Sequence, residues 1–265
     1  MKWAEKLKVE DQFGRLSPDE SRKLMAVMLL TDGCLKKRSN RNACQMVYYG
    51  RDAVLHHIFK FLTVNGLGGK PSSFLQPGKR SYHTIFERGL NSQCVNALFS
   101  LTPSFKTSPG RQNKDEYIKM QTPTLKFLFT EPLRIKVLAF RLAMSADGNV
   151  AILKGGLKFR LRLGCANPAL VMEWKALAEE LEISMNVARD KNTWSGIQGL
   201  NTDRKENLLK FLRYGGFIDG VRAHKSLRYR GFQKNAILFG IREVVEEKSN
   251  SLKEAVKRYE AGVVG

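Results

Sequence analysis

The chain has 265 residues, 43% hydrophobic and 26% charged, a composition that can bury a core and excludes a disordered chain. Lys and Arg number 45 against 25 for Asp and Glu, a formal net charge of +20. That excess is too large for an ordinary metabolic enzyme and points to a polyanionic partner, nucleic acid before membrane.

Ser17-Pro18-Asp19-Glu20 is a helix start, with Ser17 as cap, Pro18 in the first turn and Glu20 completing a capping box. The run Leu24 to Leu30 is apolar on every side, so this helix is expected to be buried all round. It stops at Thr31-Asp32-Gly33, where Gly33 is expected to act as the terminating residue. Cys34 to Arg38 and Ala43 to Tyr49 read as two strands joined by a basic turn. A helix follows over Ala53 to Val64, and His56-His57 within it suits one packed and one solvated ring rather than a metal site. Gly66-Leu67-Gly68-Gly69-Lys70 lacks the spacing and Ser/Thr of a phosphate-binding loop and reads as a turn. Ser72 to Leu75 and Tyr82 to Glu87 are strands, then Gly89-Leu90-Asn91 leads into a helix over Val95 to Leu101.

The same order recurs 115 positions on. Thr130-Glu131-Pro132 opens a helix whose apolar stretch is Val137 to Met144 and whose end is Ser145-Ala146-Asp147-Gly148. Val150 to Lys154 and Leu157 to Leu163 form the next hairpin. In its second strand Leu157, Phe159, Leu161 and Leu163 alternate with Lys158, Arg160 and Arg162, which describes a sheet with one buried and one basic face. Helix Pro168 to Leu181, strands Ile183 to Ala188 and Thr193 to Ile197, the triplet Gly199-Leu200-Asn201 and helix Asn207 to Leu212 complete the second copy. Trp174 belongs to the core; Trp194 and Tyr82 fall on the second hairpins, where strand aromatics commonly pack. Each half is helix, hairpin, helix, hairpin, helix, an α+β pattern. Beyond it, His224 to Lys234 is basic and reads as a DNA contact or a solvated connector, and helices are expected near Ala236 to Glu246 and Ser251 to Tyr259.

Asp32 and Asp147 each sit at a helix C-terminus, where the macrodipole disfavours a carboxylate. A divalent cation between them would remove that penalty, and two carboxylates with helix-end carbonyls make a hard oxygen site suited to Mg²⁺. The four cysteines form no C-x-x-C pair, no signal segment opens the chain, and no run is long enough to cross a bilayer. These readings describe a reduced, soluble, intracellular protein, cytoplasmic in a prokaryote or organellar, and not secreted.

The segments Met25 to Gly33 and Phe140 to Gly148, with the repeat around them, resemble the two motifs of single-chain LAGLIDADG homing endonucleases. The resemblance implies two pseudo-symmetric αββαββα halves, motif helices 17–32 and 131–147 packed at the pseudodyad, and antiparallel sheets forming a saddle on the DNA major groove. It divides the chain into halves 1–112 and 130–265 joined by a linker, 113–129. It implies a monomeric, site-specific DNA endonuclease, intron-encoded, in which two or three Mg²⁺ ions are held by Asp32 and Asp147 with the carbonyls of Thr31 and Ala146. Both strands of double-stranded DNA would be cut, leaving short 3′ overhangs. An intein origin is disfavoured because the chain ends Val264-Gly265 without His-Asn. The small residue usual at the third motif position is Val27 or Leu142 here, so Ala26, Ala139 and Ala143 are expected to supply the close contact. Tyr49-Gly50-Arg51 and Leu163-Gly164-Cys165 stand where the family often places Gln or Lys, leaving Gln45, Lys154 and Lys158 as catalytic candidates. The expected DNA contacts are Lys36, Lys37, Arg38, Arg41, Gln45, Lys79 and Arg80 in the first half, and Lys158, Arg160, Arg162, Arg189 and Lys191 in the second. The alternative is an intron RNA maturase, or a DNA-binding regulator that uses the same surface without cleavage; a basic ribosome-associated protein fits the charge but not the repeat.

Overall fold

The computed structural model describes residues 10–38, 42–75, 81–110, 113–119, 122–153, 158–224 and 229–262, apart from the side chains of Lys37 and Lys119. The first half runs α1 (Pro18–Leu30), β1 (Gly33–Arg38), β2 (Ala43–Gly50), α2 (Ala53–Leu67), β3 (Ser72–Leu75), β4 (Tyr82–Gly89) and α3 (Gln93–Leu101). A short helix α4 (Lys114–Lys119) and a 3₁₀ turn (Lys126–Leu128) lead to the second half. That half is α5 (Leu133–Asp147), β5 (Gly148–Ile152), β6 (Phe159–Gly164), α6 (Pro168–Glu180), β7 (Asn186–Arg189), β8 (Ile197–Thr202) and α7 (Lys205–Arg213), followed by α8 (Lys234–Val245) and α9 (Leu252–Glu260). The two sheets are antiparallel with equivalent orders, β1-β2-β4-β3 and β5-β6-β8-β7.

Helix α1 starts on the expected capping box: Ser17 Oγ accepts from Glu20 N, and Glu20 accepts from Ser17 N at 2.7 Å. It packs along α5, and Leu24–Leu30 of α1 and Leu138–Ser145 of α5 are continuously buried. The two start regions brace each other: Lys23 pairs with Glu131 at 2.6 Å and Arg134 with Glu20 at 2.7 Å. The opposite ends of these helices carry Asp32 and Asp147.

Each motif helix is followed at once by a strand that folds back over its last turn. Gly33 does not act as a left-handed helix terminator, and Gly148 is extended at φ −94°, ψ 162°. Their requirement is space. A Cβ on Gly33 would stand 2.6 Å from Leu29 Cα, and one on Gly148 2.5 Å from the Met144 carbonyl oxygen.

The alternation in β6 holds: Phe159, Leu161 and Leu163 are buried, Arg160 and Arg162 half-exposed. The second hairpin of the second half departs from expectation. Asp190 accepts from Asn192 N through Oδ1 and from Thr193 N and Oγ1 through its carbonyl, closing a polar turn through Gly196. The turn consumes Thr193 to Gly196, so β8 begins at Ile197 rather than Thr193. Trp194 therefore lies in a turn, edge-on to Tyr117 at 5.2 Å, and Gly199-Leu200-Asn201 lies inside a strand, unlike Gly89-Leu90-Asn91. Among the described residues no helix is long and apolar enough to cross a membrane.

Candidate active site

The 115-residue offset survives in three dimensions from the acids onward. Gly33 faces Tyr48 across β1–β2 as Gly148 faces Leu163 across β5–β6. Asp52 caps α2, accepting from Val54 N at 3.0 Å, and Asn167 caps α6, accepting from Leu170 N at 3.1 Å. Asp32 and Asp147, both half-buried, hold equivalent places: the last residues before a tight reversal into β1 or β5, an edge strand of each sheet.

Both acids act on one group. Tyr48 is fully buried, stacks on Phe59 at 5.4 Å, and its hydroxyl has no hydrogen-bond partner. Its ionisation is pushed well above the usual tyrosine range, first by burial, then by the charges of Asp32, Asp147 and Asp52. Tyr48 stays a neutral donor and lines a cavity of about 70 Å³ together with Asp32, Asp52, Ser145 and Ala146. The half-buried Cys165, two residues past the Tyr48 equivalent, is likewise kept protonated, its thiol pushed up to about 12 by burial and by Asp147.

Residues beyond the repeat close the other side of this cavity. Ile218 N donates to Ser145 Oγ at 2.8 Å, and Arg222 N to Asp52 Oδ2 at 2.8 Å. Lys234 Nζ donates to the carbonyls of Ser145 and Gly148, both at 2.7 Å, so an ammonium is fixed on the C-terminal turn that carries Asp147. The segment is anchored by the buried Arg141, which donates to the carbonyls of Gly215, Gly216 and Phe217 at 3.1–3.2 Å.

The donor set fits a hard divalent cation: two carboxylates, helix-end carbonyls, and an unpartnered buried hydroxyl close by. Among the described residues no three His, Cys, Asp or Glu side chains converge on one point, so carbonyls, water or a phosphate would complete the shell. Thr31 caps the end of α1, its hydroxyl donating to the Met28 carbonyl, and Ala146 lines the cavity.

Other expected residues fall elsewhere. Gln45 sits four positions before the residue that faces Asp32, bonded to Arg38 at 3.1 Å and Glu87 at 3.2 Å, and does not line the acid cavity. Lys158 lies just before β6, five positions from the residue opposite Gly148, about 16 Å along the strand. Neither is placed beside the acids, because the hairpins run away from them. Lys154, Arg41, Lys79 and Arg80 lie outside the described residues, as does the Lys37 side chain; its backbone pairs with Cys44. Lys36, Arg38, Lys158, Arg189 and Lys191 are exposed. Lys36 is bonded to the Tyr49 hydroxyl at 2.9 Å, and Arg160 is paired in two-pronged fashion with Asp203 at 2.6 and 2.7 Å. His56 is buried with its ring between Thr84 Oγ1 (2.7 Å) and the Gly50 carbonyl (3.3 Å), and burial lowers its pKa to about 4. Because a carbonyl only accepts, Nε2 carries the proton and Nδ1 accepts from Thr84. His57 instead meets Glu10 at 2.7 Å.

Sequence reasoning missed Tyr48, Asp52 and Lys234. The repeat offset flags Asp52, which stands 115 positions before another cap residue. Lys234 belongs to no repeat, and only the docked C-terminal segment puts it at the site.

No family model matches the sequence, and no curated protein matches it. Solved structures match the fold. A variant of I-DmoI in complex with its target DNA and manganese has a TM-score of 0.52 at 15% identity, over 77% of this chain and 98% of that one. Mesophilic variants of the homing endonuclease I-DmoI give 0.51 at 14% identity, over 75% and 90%. The N-terminal LAGLIDADG domain of DUF199/WhiA gives 0.50 at 11% identity, over 83% and 92%.

Proposed function

We propose that this chain, whose two-repeat architecture is the LAGLIDADG fold of I-DmoI and of the DUF199/WhiA domain, is a site-specific double-strand DNA endonuclease of homing type. The carrying observation is that Asp32 and Asp147 hold equivalent places at the ends of adjacent helices and both act on the Tyr48 hydroxyl. Halves 1–112 and 130–265, joined by 113–129, each supply one acid, so a monomer suffices. Asp32 and Asp147, with the carbonyls of Thr31 and Ala146, would hold divalent ions, Mg²⁺ in the cell. Bound there, such ions activate water and offset charge on the leaving 3′ oxygen of each strand. Tyr48 offers a hydrogen bond without ionising, and Lys36, Lys158, Arg189 and Lys191 offset phosphate charge along the duplex. On this reading both strands are cut with short 3′ overhangs, and the break serves intron homing.

One observation favours the second reading, a DNA-binding regulator or intron RNA maturase: Lys234 already brings a cation to the carbonyls on either side of Asp147. A cleavage assay on a library of duplex targets, with Mg²⁺ and with Ca²⁺, separates the two. Asp32→Asn and Asp147→Asn should each lower cutting by at least about 1000-fold while leaving gel-shift affinity within about threefold. Duplex binding without cutting by the unaltered protein in Mg²⁺ would establish the regulator of the second reading.

A further inference from the structure

In the two rows nearest the acids, the outer faces of the two sheets, which point away from the core, differ in chemistry at equivalent positions; one row further out the first half is polar, with Lys36, Gln45 and Glu87. Take first the row that crosses each sheet beside the acids. In the first half Tyr49 N donates to the Asp32 carbonyl at 3.0 Å, Tyr49 pairs with His83, and His83 with Phe74. The rings touch in sequence, Tyr49 on His83 at 4.8 Å and Phe74 on His83 at 5.4 Å, and Phe74 is 46% exposed. In the second half the same row is Gly164, Gly199 and Ala188, a floor almost without side chains.

The next row inverts the contrast. In the first half it is Cys34, Val47, Ile85 and Ser72, largely apolar. In the second it is Asn149, Arg162, Asn201 and Asn186. These four are half-exposed or exposed, and their side chains make no hydrogen bond among the described residues, so their donors and acceptors are open to a ligand.

Apolar groups in a major groove recognise the thymine methyl, arginine recognises guanine through two acceptors, and asparagine recognises adenine. We infer that the target is chemically asymmetric: the half-site over β1–β4 is read through thymine methyls by the Phe74, His83 and Ile85 surface. The half-site over β5–β8 is read through purine edges by Arg162, Asn149 and Asn201. The inference rests on the reading of the chain as a binder of duplex DNA, and it deepens that reading by naming the class of target.

The test is selection of duplexes from a random-sequence library with the full chain in Ca²⁺, followed by affinity measurement on the selected duplex. Arg162→Ala identifies the half-site over β5–β8: it should weaken binding about tenfold or more and relax base preference in that half alone, with thermal unfolding unchanged. With the unaltered protein, replacing thymine by deoxyuridine in the other half should weaken binding about threefold for each contacted methyl, and by nothing measurable in the Arg162 half. Selected halves of like composition, or deoxyuridine acting alike in both, would overturn the asymmetry while leaving DNA binding intact. Failure to select any duplex would remove the DNA-binding reading itself, and the asymmetry with it.

Discussion

The first and second halves are two solutions of one backbone problem within a single chain. From acid to cap they agree position by position: Asp32 and Asp147, Gly33 and Gly148, Tyr48 and Leu163, Asp52 and Asn167. Away from that stretch they part, β4 running eight residues and β8 six. Agreement falls where the main chain is most constrained, at a reversal too tight for a Cβ and at a helix start needing a side-chain acceptor. Divergence falls on the outer face, where a side chain answers only to what lies above it. The second half alone also carries the docked segment beyond residue 213, and its motif helix has Arg141 where the first has the buried Ala26.

That comparison can be broken at the reversal. Gly33→Ala and Gly148→Ala should each cost at least about 3 kcal/mol, because the added Cβ meets backbone rather than a side chain that can move. Urea unfolding measures both, and if either variant stayed within about 0.5 kcal/mol of the parent, the shared steric reason for the two glycines would be wrong. Next in size is Arg141→Leu, which takes the donor from the Gly216 carbonyl and leaves the carbonyls of Gly215 and Phe217 to Asn235 alone. We expect a loss of roughly 3 kcal/mol and protease cutting near residue 215, read by unfolding and limited proteolysis.

A pH series sharpens the comparison further. His56 has Val171 as its equivalent. Its folded pKa of about 4 lies below the ordinary 6.5, so the unfolded chain binds the extra proton between those values. The stability this provides is complete above about pH 6.5 and is lost as pH falls toward 4, about 2 kcal/mol between pH 7.5 and 5. His56→Val, which imports the residue of the second half, should remove that share of the pH dependence; parallel stability curves for parent and variant would refute it. The smallest effects belong to the caps. Asp52 accepts from Arg222 N, whereas Asn167 donates to the Tyr117 hydroxyl at 2.9 Å. Tyr117 already donates to the Lys106 carbonyl, so an acceptor at 167 would face an acceptor. Asp52→Asn and Asn167→Asp should therefore each cost about 1–2 kcal/mol in thermal unfolding, and a neutral exchange at either site would show that the second partner does not matter.

Much of the fold was legible because its signals are local. The capping box at Ser17, the apolar run Leu24 to Leu30 and the alternation along β6 each lie within a few residues, and each formed where it was read. The start of β8 was misplaced because β-branched and aromatic residues at 193 and 194 look like a strand, while the hydrogen bonds of Asp190 hold them in a turn.

The sequence by itself determined that there are two copies, that each ends an apolar helix in an acid and a glycine, and that the chain carries a large positive charge. Periodicity, caps and charge counts need no knowledge of distant residues. Only the tertiary structure decided that the charges of both acids bear on the buried Tyr48, that Lys234 reaches the carbonyls around Asp147, and that the two outer faces differ in chemistry. Those facts depend on cross-strand register and on where a C-terminal segment docks, contacts between residues up to about a hundred positions apart that no local pattern encodes.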